Sequence, residues 1–78
     1  MKDRPSEDIR IRLGKAVRKR RNELKISQED FAELAGLHRT YISDLERGTC
    51  NISLENIEKL AKALDLSISE LMQRVDDQ

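Results

Sequence analysis

Residues 28–47, QEDFAELAGLHRTYISDLER, decide the fold, because they carry the residue types of a helix-turn-helix at the required spacing. Ala32 supplies a small side chain where two helices touch. Gly36, four residues later, tolerates the left-handed backbone of a tight turn, and Leu37 fills the wedge between the helices. The inward anchors of the two helices are Phe31, Ala35, Ile42 and Leu45. This register favours a helix-turn-helix over a helical corner with a purely structural purpose.

Further helices flank this motif, and no stretch alternates as a β-strand would. Apolar residues at helical spacing predict a first helix over about 7–24, with Ser6 as its N-cap. The inner face of this helix comprises Ile9, Leu13, Ala16, Val17 and Leu24. Ser27 and Asp30 have the spacing of a capping box at the start of the second helix, which Gly36 ends.

The C-terminal half continues the helical pattern. A third helix is predicted over about 38–47, with His38 as its cap, and residues 49–52 form a loop. Ser53 caps a fourth helix, and Ser67 with Glu70 forms a capping box for a fifth. The inner faces of these last two helices are Leu54, Ile57, Leu60, Ala61 and Leu64, then Ile68, Leu71, Met72 and Val75. The sequence therefore predicts an all-α, compact five-helix domain.

The chain has 78 residues, which is enough for one small hydrophobic core. We predict a short charged N-terminal tail over 1–6, one folded domain over 7–75 and a polar tail over 76–78. The longest apolar runs are two residues, so we expect no membrane span or secretory signal and assign the chain to the cytoplasm.

The residue types that most enzymes and metal sites require are scarce. One cysteine and one histidine exclude a disulfide framework and a zinc cage. The sequence has no nucleophile–base set and no glycine-rich phosphate loop. We therefore expect no enzymatic activity, no metal and no cofactor.

The formal net charge is zero, but the charges are divided unevenly along the chain. Residues 1–25 carry ten basic and four acidic side chains, a balance of +6, whereas residues 26–78 carry five basic and eleven acidic ones, a balance of −6. A basic end on a neutral protein is typical of a surface that meets a polyanion. The alternative is a basic helix that is merely solvated.

Two segments resemble a known family. SQEDFAELAGLHRTYISDLERG at 27–48, followed by ISLENIEKLAKALDLSISEL at 52–71, resembles the phage-repressor (Cro/XRE) type of helix-turn-helix regulator. Within that group, LHRTYISDLERGTCNISLENI at 37–57 resembles the controller proteins of bacterial restriction–modification systems. The resemblance implies a lambda-repressor-like fold and a homodimer that binds a pseudo-palindromic operator in double-stranded DNA and regulates transcription.

In such a fold the second helix of the motif enters the major groove, and its exposed face reads the bases. The predicted base-reading residues are Arg39, Thr40, Tyr41, Ser43 and Asp44. A guanidinium binds N7 and O6 of guanine together, unless Arg39 is instead paired with Asp44. Tyr41 has either a core role or a DNA role. Asp44 accepts from cytosine, orients Arg39 or Arg47, or excludes wrong sequences.

Phosphate contacts are predicted at the edges of the motif. Free N–H groups and the positive dipole end at the start of a helix favour an anion, which points to Gln28 on the second helix and Asn51 with Ser53 before the fourth. The predicted cationic contacts are Arg18, Arg21, Lys25 and Arg47. The ring of His38 is expected to cap backbone N–H groups.

Apolar residues of the fifth helix and of the loop before the fourth helix exceed what so small a core requires, which predicts a dimer interface. The residues assigned to it are Ile52, Ile68, Leu71, Met72 and Val75. The alternative is that all five belong to the core of one chain. Cys50, in the neighbouring loop, is read as incidental.

Two other functions compete with the controller hypothesis. An antitoxin-like module of the same fold would bind a protein partner, and another small phage-type repressor would bind an unrelated operator. Activation by contact with RNA polymerase would require an exposed acidic surface, for which Glu46, Glu55 and Glu58 are the candidates.

Overall fold

The computed structural model describes residues 7–78, which form five α-helices and, within that range, no strand. The helices are α1 (Ile9–Glu23), α2 (Gln28–Ala35), α3 (Arg39–Arg47), α4 (Leu54–Ala63) and α5 (Ile68–Asp76). The predicted all-α, five-helix architecture is confirmed. The predicted tail over 1–6 lies outside the described residues. None of the helices in the described range is both long and apolar enough to cross a bilayer.

The helix ends depend on local capping. Asp8 is the N-cap of α1, and its side chain accepts a hydrogen bond from the backbone N–H of Arg10 at 2.8 Å. The predicted cap, Ser6, lies outside the described residues. Ser67 and Glu70 form the reciprocal capping box predicted for α5. His38 occupies the N-cap position of α3 but makes no capping hydrogen bond, so the prediction that its ring caps the helix is wrong.

Two kinds of turn each occur twice. Gly36 ends α2 and Gly48 ends α3, both in the left-handed conformation, with φ of 72° and 74°. The connections after α1 and α4 instead contain left-handed Lys25 and Asp65, with φ of 59° and 58°. Because these turns are short, each helix has few ways to pack against the next. The turns at Lys25 and Gly36 therefore restrict how α2 and α3 are oriented.

The core lies between α1 and the helices that surround it. Helix α1 packs on α3 and α5, while α2 packs on α3 and α4. The largest fully buried side chains come from all five helices and from the C-cap of α4: Val17, Phe31, Ile42, Leu45, Leu60, Leu64, Leu71 and Val75. Helix α3 is thus held on its inner side by two neighbours, and its opposite face stays free.

Glycines at positions 14 and 48 allow α1 and α3 to pack closely, because neither residue has a side chain. A Cβ on Gly14 would lie 2.5 Å from the carbonyl oxygen of Leu45 and 2.7 Å from that of Glu46. A Cβ on Gly48 would lie 2.7 Å from Cα of Ile11. The backbone of α1 therefore rests directly on the last turn of α3.

Three apolar residues assigned to inner faces are exposed instead. Ile9, Leu54 and Ile68 keep 59%, 76% and 41% of their surface accessible, and Leu34 on α2 keeps 64%. Ile9, Leu54 and Ile68 are each the first residue of their helix. Because side chains tilt toward the helix N-terminus, a side chain at the first position projects past the end of the helix and away from the core.

Candidate nucleic-acid interface

The outer face of α3 presents polar side chains on a firmly anchored helix. Ile42 and Leu45 are 0% and 1% exposed and fix the inner face. Arg39, Thr40 and Arg47 are exposed on the outer face, and Ser43 and Asp44 are half-buried there. Four of the five predicted base-reading residues therefore share one surface with Arg47, and Tyr41 is the exception.

Arg39 stands at the first position of α3 with an unengaged guanidinium: no side chain in the range 7–78 bonds to it. Asp44 pairs with Arg47 through Oδ1 and Nη2, and Nη1 of Arg47 donates to Oγ of Ser43 at 3.3 Å. The alternative that Arg39 pairs with Asp44 is therefore wrong. Of the roles considered for Asp44, this contact corresponds to orienting Arg47.

Tyr41 connects the motif to α4. The ring is half-buried, and Nδ2 of Asn56 donates to its hydroxyl oxygen at 3.2 Å. Tyr41 thus has a structural role between α3 and α4, and its hydroxyl hydrogen is still available as a donor.

A shallow depression separates the start of α2 from the start of α3. It is lined by Arg21, Ser27, Gln28, Glu29 and Arg39. The depression therefore combines the N-terminal end of a helix, two guanidinium groups and the carboxylate of Glu29 at the edge of the α3 surface.

The guanidinium of Arg21 is held from within the protein. Its Nε and Nη2 donate to Oε2 and Oε1 of Glu46 at 2.7 and 3.0 Å, and its Nη1 donates to the carbonyl oxygen of Ile26 at 2.9 Å. Nε2 of Gln28 also donates to Oε1 of Glu46, at 3.1 Å. The hydrogen bond to Glu46 raises the pKa of Arg21, so the guanidinium stays protonated. Arg21 therefore makes three hydrogen bonds within the protein, which disfavours the phosphate contact predicted for it.

Glu46 was not expected at this place. Its side chain is 4% exposed, so it cannot belong to the acidic surface suggested for a polymerase contact. The spacing of the sequence indicates this inward position, because Glu46 follows buried Ile42 by four residues and so lies on the same side of α3. A carboxylate on that side requires a cationic partner.

The other predicted phosphate contacts come from α1, from the turn after it and from the loop that precedes α4. Ser53 caps α4, its Oγ accepting from the backbone N–H of Asn56 at 3.1 Å, and Asn51 is exposed in the preceding loop. Arg18 and Lys25 are exposed, and neither has an ionic partner in the described part of the chain. Lys25 follows α1 in the turn that leads to the start of α2.

The residues predicted for the dimer interface fall into two groups, one buried in the core and one accessible at the surface. Leu71 and Val75 are 0% and 2% exposed, so they belong to the core and their assignment to an interface is wrong. Ile52 and Met72 are half-buried and line an apolar groove of about 250 Å³ together with Ile9, Arg10, Leu13, Asn51, Ile57 and Val75. Ile68, one turn before Met72 on α5, is 41% exposed.

Cys50 lies in the loop between α3 and α4 and is half-buried. Burial raises the pKa of its thiol, and the neighbouring Asp44 carboxylate raises it further. The protonated, unreactive thiol is therefore the dominant form at neutral pH.

Comparison with known proteins matches residues 17–71 to the HTH_3 helix-turn-helix family model. The control protein C.BamHI of Bacillus amyloliquefaciens is 48% identical over 68 residues, which cover 86% of this chain and 84% of that protein.

Solved structures with the same fold include other regulators. The restriction–modification controller protein C.AhdI of Aeromonas hydrophila is 45% identical, with a TM-score of 0.77 over 80% of this chain and 94% of that one. The clp gene regulator ClgR of Corynebacterium glutamicum is 27% identical, with a TM-score of 0.88 over 94% of this chain and 78% of that one. The exposed face of α3 thus occurs within a fold that is common among gene regulators.

Proposed function

The chain belongs to the helix-turn-helix family of transcription regulators, and from this premise we propose that it controls the genes of a restriction–modification system. It is a DNA-binding regulator that acts on double-stranded DNA. The observation that carries the proposal is the outer face of α3, where Arg39 is exposed and unengaged on a helix anchored by Ile42 and Leu45. The similarity to control proteins supports the restriction–modification context.

In the proposed complex, the amino end of α3 lies in the major groove. Arg39 donates to N7 and O6 of a guanine, and Thr40 and Ser43 contact neighbouring bases. Asp44 orients Arg47 toward the phosphates through the ion pair between them. Tyr41 contributes its hydroxyl at the edge of this surface while its ring keeps α4 in place.

Phosphate groups of both strands are held by the surrounding elements. The backbone N–H groups at the start of α2, next to Gln28, and at the start of α4, next to Ser53, point outward as anion donors. Asn51 adds a side-chain donor. Arg18 and Lys25 add positive charge, which makes the affinity fall steeply with salt.

We propose that two copies associate through the apolar groove and its margin, with Ile52, Ile68 and Met72 buried between them. The C-terminal helix of the domain over 7–75 then serves dimerisation as well as the core. A twofold dimer places two α3 helices about 34 Å apart, which matches successive major grooves on one side of the duplex.

Three further proposals complete this function. The protein acts in the cytoplasm without enzymatic activity. A contact with RNA polymerase would use Glu55 and Glu58, which are exposed on α4, and would exclude Glu46. An antitoxin-like role is the second candidate, favoured only by exposed Leu34 on α2, which a protein partner would cover.

The test is selection of binding sites from random duplex DNA by the purified protein, together with light scattering to measure its mass. We expect an enriched pseudo-palindrome with half-sites one helical turn apart, and a dimer at micromolar concentration. The selected site should also occur upstream of adjacent endonuclease and methyltransferase genes. A monomer that enriches no sequence would contradict the proposal and leave the protein-binding module as the better hypothesis.

A further inference from the structure

We propose that Glu46 is a specificity-determining residue, which withholds the charge of Arg21 from DNA so that recognition depends on the bases. This inference rests on the proposed function, because it concerns how the same surface distinguishes an operator from other DNA. It assigns a role to a residue that makes no contact with DNA itself.

Position and charge together support this role. Arg21 lines the same depression as Arg39 and the start of α2, so its guanidinium lies at the edge of the DNA-binding surface. There it is only 11% exposed, because Glu46 binds it through two hydrogen bonds and Ile26 accepts a third. An arginine whose charge is neutralised by a carboxylate adds little to the release of counterions from DNA.

The carboxylate also holds the geometry of the motif. Oε1 of Glu46 accepts from both Nη2 of Arg21 and Nε2 of Gln28, and so connects the end of α1, the start of α2 and the last turn of α3. Bidentate ion pairs of this kind have a narrow range of allowed geometries. Glu46 therefore fixes the angle between α2 and α3 while it neutralises the cation between them.

Loss of the carboxylate charge should reduce the preference of the protein for its operator over other duplex DNA. In Glu46→Gln, the side chain keeps its size and one carbonyl oxygen, but Arg21 loses its ionic partner and turns toward the phosphates. Affinity for non-specific duplex DNA should rise, and affinity for the operator should rise less. The ratio of specific to non-specific affinity should therefore fall.

The experiment measures the slope of log K against log salt concentration on a non-specific duplex. Glu46→Gln should make this slope steeper by about 0.9 per protomer. The double variant Arg21→Gln with Glu46→Gln should restore the wild-type slope. Glu58→Gln, which makes the same charge change on the exposed face of α4, should leave the slope unchanged.

Three outcomes would overturn the proposal: a folded Glu46→Gln variant with the wild-type slope, an equally steep slope in Glu58→Gln, or a double variant with a shallower slope than wild type. The last would mean that Arg21 already contacts phosphate in the native protein. If Glu46→Gln does not fold, the double variant, in which neither side chain is charged, decides alone. Failure of the proposed function is distinct, since it would appear as no preferred sequence in the wild-type selection.

Discussion

At the scale of single residues, exposure and engagement distinguish the side chains proposed to face DNA from those that support them. Arg39 and Arg21 line one depression, yet Arg39 is unengaged in the described structure and Arg21 makes three hydrogen bonds within the protein. Residue type alone does not distinguish these two arginines, whereas the hydrogen bonds of Arg21 within the protein do.

Arg39→Ala should weaken operator binding without affecting the fold, because this side chain has no partner within residues 7–78. Loss of a bidentate contact to guanine costs about 1–3 kcal/mol per half-site, or about 5- to 150-fold in affinity. The measurement is titration of a labelled operator duplex and of a scrambled one. Lys59→Ala, which removes an exposed cation from α4, is the control, and equal losses in the two variants would contradict the assignment of Arg39.

Tyr41→Phe tests the structural part of the role assigned to Tyr41. The variant removes the hydroxyl that accepts from Asn56 at 3.2 Å, and loss of one neutral hydrogen bond costs about 0.5–1.5 kcal/mol. Urea denaturation at neutral pH measures this cost. An unchanged free energy of unfolding together with weaker operator binding would place the hydroxyl on DNA alone.

The sequence predicts the motif better than it predicts the partners of charged residues. Ala32, Gly36, Ile42 and Leu45 are specified by spacing, since only certain residue types fit a tight turn and a buried face, and all four occupy the expected places. The pairing of Arg21 with Glu46 depends on how α1 and α3 cross, which no periodicity within either helix determines.

At the scale of the helices, errors in the sequence prediction occur mainly at helix starts. Leu54 has the spacing of an inner-face residue, yet 76% of its surface is accessible because it stands at the first position of α4. Periodicity predicts the side of a helix on which a residue lies, but not whether a neighbouring helix extends far enough to cover it.

Gly14→Ala should destabilise the packing of α1 on α3. The added methyl carbon would lie 2.5 Å from a backbone oxygen, so the helices must move apart, at a cost of about 1–3 kcal/mol. Asn22→Ala, at an exposed position of the same helix, should change stability by less than about 0.5 kcal/mol. Urea midpoints of the two variants provide the comparison, and equal midpoints would show that α1 and α3 do not approach as closely as described.

The cap of α1 should make stability depend on pH. Hydrogen bonds from the Arg10 side chain and backbone lower the pKa of Asp8 from 3.8 to about 2. Because the pKa is lower in the folded state, this contribution is complete above about pH 4 and is lost as the pH falls toward 2. When thermal unfolding is measured from pH 6 to pH 2, the Tm of Asp8→Asn should fall less with decreasing pH than the Tm of the wild type. Parallel curves for variant and wild type would contradict this role.

At the scale of the whole molecule, charge and apolar surface occupy different places. The C-terminal helices carry much of the acid, while Arg39 on α3, Arg18 on α1 and Lys25 in the turn before α2 are exposed cations. The neutral total limits non-specific attraction to DNA, so the discrimination between sequences depends on the contacts proposed in the groove. The exposed apolar residues Ile9, Leu54 and Ile68 belong to helix starts rather than to the outer face of α3.

Ile68→Glu should convert the proposed dimer into a monomer with the same helical content, because the position is 41% exposed and a charge there would be buried between two copies. Light scattering measures the mass, and circular dichroism measures the helix content. Leu34→Glu, which places the same charge at an exposed position on α2, should remain dimeric. A dimeric Ile68→Glu variant would exclude this part of α5 from the interface.

The ion pair between Arg21 and Glu46 has a consequence for the inheritance of this sequence. Substitution of either partner alone leaves the other charge without its ionic partner, so we expect single mutations at positions 21 and 46 to be selected against, whereas a simultaneous exchange for two uncharged residues should be tolerated. The two positions therefore change as a unit. Among descendants of this gene, a neutral residue at one of them predicts a neutral residue at the other.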